Sequence, residues 1–242
     1  MLASLPMYDW PETRGDTLAL YARLRQGFET ALPAELSRPA TAQALWAHWC
    51  DPGLVLSQCC WGPLSLGLSR HLRVLAQPDY SDVAGGQGSL YRSAVIARCG
   101  KPVEAPATPG AHLPEGLLEG RRLAVNGRDS MSGWLALMAD LGADPAGQAA
   151  GAVETGGHRA SVRAVVEGRA DLAAIDCRSW ALARAHEPGA ADLLVIGWTA
   201  ARPGLPYVTA RGTDAGLTHE LQQRLIALGC HPPEAGRQTD AA

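Results

Sequence analysis

Short apolar runs alternate with helical patterns along almost the whole chain, and that alternation is the signature of an α/β fold. Residues 2–7 read as a first strand. A helix follows, with Leu20, Tyr21, Leu24 and Phe28 on one face. Residues 54–58 and 72–76 read as buried strands, and 90–97 as strand-like. Residues 99–114 are rich in Pro, Ala and Gly and read as a loop. A second α/β unit then begins. Its strands are expected at 123–125, 152–154, 172–175 and 193–196. Its helices carry Trp134, Leu135, Met138 and Leu141, then Val162, Val165 and Val166, with Gly168 placed to end the second. Residues 205–208 suggest a return strand. The final helix carries Leu217, Leu221, Leu225 and Leu228, with Asp214 as N-cap and Gly229 after its end. The last ten or so residues read as frayed.

The chain has 242 residues, enough for one large or two small domains. Hydrophobic residues make up 47% and charged residues 19%, which fits a globular protein. A net charge of -3 and the lack of a basic run argue against nucleic acid as the main partner. No apolar stretch approaches the ~18 residues that a spanning helix needs, so no membrane insertion is expected. The N-terminus shows no basic region, long apolar region or cleavage site, so the sequence as it stands reads as cytoplasmic. The cysteines are Cys50, Cys59, Cys60, Cys99, Cys177 and Cys230. Cys50, Cys59 and Cys60 with His48 have the wrong spacing for zinc motifs, and buried free thiols are expected instead. Neither a cofactor nor a metal is expected.

Four segments can carry chemistry. The turn from Asn126 to Gly133 ends an apolar run and opens a helix, with Ser130, Ser132 and Gly133 where backbone N–H groups lack partners. Such a helix start favours an anion, although Ser and Asp also serve there as ordinary caps. The Thr155-Gly-Gly-His158 turn places His158 in a first helical turn, where the dipole disfavours imidazolium and a bound anion reverses that bias. Asp176 ends a hydrophobic strand before a helix, either facing a ligand or capping that helix. Tyr91 stands in Ser89-Leu-Tyr-Arg-Ser93, with Tyr8 and Ser57 near the ends of two other strands. No G-x-S-x-G elbow, H-E-x-x-H or P-loop is present.

Taken in order, these segments and the Pro-Gly-Leu-Pro-Tyr stretch resemble the phosphate/phosphite/phosphonate substrate-binding proteins of ABC importers. The resemblance covers residues 1 to about 229. It implies the type 2 periplasmic-binding-protein fold, two Rossmann-like lobes joined by two crossover strands. The lobes would be 1–93 plus 200–242, and 94–199, with the ligand between them. It assigns ligand contact to Tyr8, Ser57, Tyr91, Ser130, Met131, Ser132, His158 and Asp176. The sequence departs from the family in lacking an export signal, although members are usually periplasmic. It also has Met131 where a small hydroxyl residue is usual.

The expected function is therefore capture of a small anionic ligand, phosphonate- or phosphate-like, by lobe closure, with an ABC importer permease as partner. Two alternatives stand beside it. One is a metabolic enzyme in the same cleft with His158 and Asp176 as acid–base groups. The other is a ligand sensor that signals closure to a partner protein.

Overall fold

The computed structural model describes residues 1–233, so the expected fraying of the last ten or so residues lies outside the described residues. In chain order the strands are β1 (Leu2–Ala3), β2 (Leu54–Gln58), β3 (Leu72–Ala76), β4 (Gly86–Gln87), β5 (Leu90–Tyr91), β6 (Ser93–Ala97), β7 (Arg122–Val125), β8 (Gly151–Glu154), β9 (Leu172–Asp176), β10 (Leu194–Trp198), β11 (Arg202–Pro203) and β12 (Tyr207–Ala210). The helices are α1 (Arg14–Arg25), α2 (Ala42–Trp49), α3 (Trp61–Ser65), α4 (Ala136–Leu141), α5 (Pro145–Gln148), α6 (His158–Val166), α7 (Cys177–His186) and α8 (Ala215–Ala227). A π-helical stretch, Met131–Leu135, runs into α4.

The chain forms two compact units. The first is Met1–Asp79 with the chain from Pro203 onward, and the second is Tyr80–Arg202. In the first unit the sheet order is β1-β2-β12-β3. β1 runs parallel to β2, and β12 pairs antiparallel with both β2 and β3. Every residue of β2 and β12 is buried, as expected of strands covered on both faces. One apolar cluster joins α1 and α8 to the sheet through Tyr21, Leu24, Leu56, Leu75, Leu221 and Leu225. A second gathers Trp49, Leu54, Leu64, Leu72 and Val208.

In the second unit the order is β10-β6-β9-β7-β8. β7 lies parallel to β8 and β9, while β6 pairs antiparallel with β9 and β10. The carboxyl ends of β7, β8 and β9 therefore share an edge with the start of β6, and Ser93 stands opposite Asp176 in the ladder. Val95, Leu123, Val125, Trp134, Leu137, Leu172 and Ile196 fill the core of this unit.

Some expectations need correction. The first strand is two residues long rather than six, although Ser4 N still donates to Leu56 O at 3.0 Å. Pro6, which lacks an N–H, follows at once. The strand-like stretch 90–97 divides at Arg92 into β5 and β6. The return strand starts at Tyr207 instead of Leu205 and runs on to Ala210. Asp214 does cap α8, accepting from Leu217 N at 2.9 Å, and Gly229 follows it at φ 94°. All six cysteines are free thiols.

Candidate functional site

Three helical segments of the second unit start at the shared sheet edge, each just after a parallel strand ends. β7 leads through Asn126–Ser130 into the π stretch, β8 through Thr155–Gly157 into α6, and β9 directly into α7. Open α/β sheets place their ligand groups at such strand ends.

Ser130 caps the first of these segments. Its Oγ accepts from Gly133 N at 3.1 Å, and its carbonyl accepts from both Trp134 N (3.1 Å) and Leu135 N (3.0 Å). The bond to Leu135 spans five residues and makes the turn π-helical, a widened geometry frequent at functional sites. Position in the helix leaves the amides of Met131 and Ser132 with no upstream carbonyl of their own helix. Ser130 and Ser132 are buried, their hydroxyl oxygens 3.4 Å apart, and Met131 is half-buried.

His158 is the first residue of α6. Gly156 before it takes φ 81°, which L side chains avoid, so this turn does require a glycine. The Nε2 atom of His158 lies 2.7 Å from Ser132 Oγ, 3.4 Å from Asp176 Oδ2 and 3.5 Å from Asn126 Nδ2. Burial pushes the imidazole below its ordinary pKa, and the Asp176 carboxylate offsets part of that shift. The ring is therefore neutral near pH 7. With a carboxylate oxygen beside Nε2, the favoured tautomer carries its proton there. Nδ1 is buried with no hydrogen-bond partner.

Asp176 is 1% exposed. Its Oδ1 caps α7, accepting from Ser179 N at 2.9 Å, while Oδ2 faces His158. Both roles weighed from the sequence, helix cap and site carboxylate, thus fall on different oxygens of one side chain. The adjoining Cys177 thiol is pushed up to about 12, first by burial and then by the Asp176 charge.

Tyr91 is buried two residues before β6 begins, its ring 5.7 Å from that of Tyr80. In the first unit, Tyr8 is half-buried and its carbonyl accepts from Thr13 Oγ1 at 2.9 Å. Ser57 is fully buried, and its hydroxyl is engaged with Ser4 Oγ at 2.8 Å and Trp49 Nε1 at 3.2 Å. Of the eight residues singled out from the sequence, Ser130, Ser132, His158 and Asp176 form one hydrogen-bonded cluster, at whose edge Met131 stands.

Two members of the neighbourhood were missed as site residues. Asn126 Oδ1 and Ser93 Oγ are buried with no hydrogen-bond partner among the described residues. Each lay inside a segment already marked as interesting. What identifies them is position at the strand edge: Asn126 follows β7 at once, and Ser93 pairs with Asp176. Among the described residues, no group of three or more His, Cys, Asp or Glu side chains is arranged to hold a metal, and no helix is long and apolar enough to cross a membrane.

The profile of the family described as ABC transporter, phosphonate, periplasmic substrate-binding protein matches residues 66–239, well over half of the chain. The chain belongs to this family. Members are periplasmic proteins that bind a small molecule and in general work with a permease. Solved structures agree on the fold. PhnD1 from Prochlorococcus marinus, in complex with methylphosphonate, superposes with TM-score 0.65 at 17% identity, over 94% of this chain and 84% of that one. A binding protein component of an ABC phosphonate transporter from Pseudomonas aeruginosa gives TM-score 0.64 at 15% identity, over 96% and 80%. The periplasmic VFT2 domain of BvgS from Bordetella pertussis gives 0.59 at 16% identity, over 94% and 87%. The fold is the type 2 periplasmic-binding-protein fold. Among curated proteins no sequence matches.

Proposed function

We propose that this protein binds a small tetrahedral oxyanion of the phosphonate, phosphite or phosphate class and delivers it to an ABC permease. The observation that carries the reading is the convergence of Ser132 Oγ, His158 Nε2 and Asp176 Oδ2 at the starts of three helical segments, with Ser132 2.7 Å from the imidazole. The Ser130 and Ser132 hydroxyls and the Met131 and Ser132 amides supply neutral donors to the anion, aided by the helix dipole. His158 donates from its ring, Asp176 accepts, and Tyr91 walls the site. Tyr8 is the contact expected from the first unit. Ser57 acts through Ser4 and Trp49, because its own hydroxyl is already engaged. Capture includes closure of two lobes, 1–93 with 200–242 and 94–199, so that only the closed form satisfies every ligand bond.

Family membership and the methylphosphonate held by the Prochlorococcus relative support this reading. Isothermal titration with methylphosphonate, phosphite and phosphate tests it. At least one is expected to bind with micromolar or tighter affinity and to compact the protein in small-angle scattering. Ser132→Ala removes a charge-assisted hydrogen bond worth about 1.5–3 kcal/mol, so affinity should fall by roughly 10- to 100-fold. Absence of binding across the three anions, or full affinity in Ser132→Ala, rules the reading out.

A further inference from the structure

A pocket of about 250 Å³ opens in the first unit, between the loop after β1 and the segment before α2. Leu5, Pro6 and Leu36 supply its apolar wall, and Asp9, Arg14 and Arg38 its charged groups. Backbone bonds bring those groups together. Ser37 N donates to Ala3 O at 2.7 Å, which lays residues 36–38 beside β1. Thr13 Oγ1 donates to Tyr8 O at 2.9 Å and Thr13 N to Trp10 O at 3.0 Å, which folds the loop carrying Asp9 back onto the start of α1 at Arg14. The Asp9 side chain is only 10% exposed, while both arginines are exposed. Asp9 Oδ2 accepts from Arg38 Nε at 2.7 Å. Asp9 Oδ1 is buried with no hydrogen-bond partner among the described residues, and Arg14 Nε lies 3.8 Å from it. A buried carboxylate oxygen without a donor is costly. The outer nitrogens of both guanidinium groups likewise bond no acceptor among the described residues. With two guanidinium groups against one carboxylate, the pocket carries a surplus of positive charge.

We propose that this pocket binds a small 2-hydroxy carboxylate, through residues separate from the oxyanion cluster of the second unit. The ligand hydroxyl donates to Asp9 Oδ1, and its carboxylate takes the outer guanidinium nitrogens of Arg14 and Arg38. Asp9 Oδ1 and Arg14 Nε are so close that the ligand's donor and its anion must stand on neighbouring carbons. A single negative charge on the ligand balances the surplus, which a zwitterionic amino acid would leave standing. The volume is below that of pockets built for drug-sized molecules and admits a ligand of a few carbons. The apolar wall of Leu5, Pro6 and Leu36 suits a short alkyl group on the hydroxyl-bearing carbon.

Titration of the full chain with lactate, propionate and alanine, read by calorimetry and by amide NMR shifts, tests the proposal. Lactate should bind with Kd below about 1 mM. Propionate lacks the hydroxyl and should bind roughly 10- to 100-fold more weakly. Alanine should also bind more weakly than lactate. The shifts caused by lactate should centre on Asp9, Arg14 and Arg38. Arg14→Gln changes an exposed side chain and leaves the Asp9–Arg38 bond in place; it should weaken lactate binding by about tenfold or more. Propionate equal to lactate, alanine tighter than lactate, full lactate affinity in Arg14→Gln, or no lactate binding at about 10 mM overturns the proposal. So do lactate shifts confined to Ser132 and His158, which would place the anion in the oxyanion cluster instead. The oxyanion reading stands or falls separately, on methylphosphonate, phosphite and phosphate.

Discussion

Asn126 Oδ1 occupies the space where a Cβ on Gly133 would stand, far inside any real Cβ contact. The end of β7 and the start of the π stretch are thus fitted to a residue with no side chain. Gly133 has no left-handed backbone to justify it, so close approach is the reason it is glycine. Within a helix Ala would ordinarily gain about 1 kcal/mol over Gly. Here Gly133→Ala must displace Asn126, and overpacking of this kind costs about 1–3 kcal/mol. The net sign is therefore expected to be destabilising, with weakened oxyanion binding as Asn126 moves off His158. A thermal melt alongside a ligand titration checks both; a variant more stable than wild type shows that Asn126 yields easily.

His158 makes stability depend on pH. Burial lowers its folded pKa, so the unfolded chain binds the proton more readily than the folded one. The stabilisation is complete above the unfolded value, about 6.5, and drains away as pH falls from there toward the folded value. Burial lowers His48 in the same direction, with Asp51 partly offsetting it. Urea midpoints should therefore fall between about pH 7 and about pH 5, and His158→Gln and His48→Gln should each flatten that fall. Equal slopes in wild type and the double variant would assign the acid sensitivity to other groups.

Asp140, at the end of α4, holds the chain where it leaves the second unit. Its carboxylate is bonded by Arg202 Nη2 at 2.5 Å and Nη1 at 3.1 Å, and by Ala200 N at 2.8 Å, with both side chains largely buried. Asp140→Ala leaves a guanidinium unpaired in poorly solvated surroundings, which costs about 3–5 kcal/mol. Adding Arg202→Met should recover a large part of that loss, and a double-mutant cycle in urea measures how much. Additive losses would mean that the pair is not coupled.

The alternation of strands and helices was legible because strands covered on both faces appear as short apolar runs, as in 54–56 and 172–175. Short elements were not. α2 is apolar nearly all round and gives little periodicity, and the five-residue α3 contains Pro63. The π stretch depends on Ser130 O accepting from Leu135 N, a choice of partner that residue types do not encode. The candidate site was legible where strand, turn and helix adjoin in sequence, as at Ser130, Ser132, His158 and Asp176. Ser93 escaped because its relation to Asp176 is a matter of register between strands some eighty residues apart. Ser57 shows the converse: its position at a strand end was evident, yet the hydroxyl is saturated by Ser4 and Trp49, which only packing reveals.

The six thiols should divide by burial when labelled. Cys177 is fully buried and pushed up to about 12, and Cys230 is pushed up to about 11, in each case chiefly by desolvation with a nearby aspartate adding to it. Since the thiolate is the nucleophile, both should resist iodoacetamide at about pH 8 while the protein is folded. Cys99 is exposed and should be alkylated first. Mass spectrometry of the time course gives the order, and moderate urea should bring Cys177 labelling up in parallel with loss of the fold, because reaching its sulfur requires α7 to leave β9. If Cys177 is instead alkylated in the native protein as fast as Cys99, the β9–α7 junction opens readily.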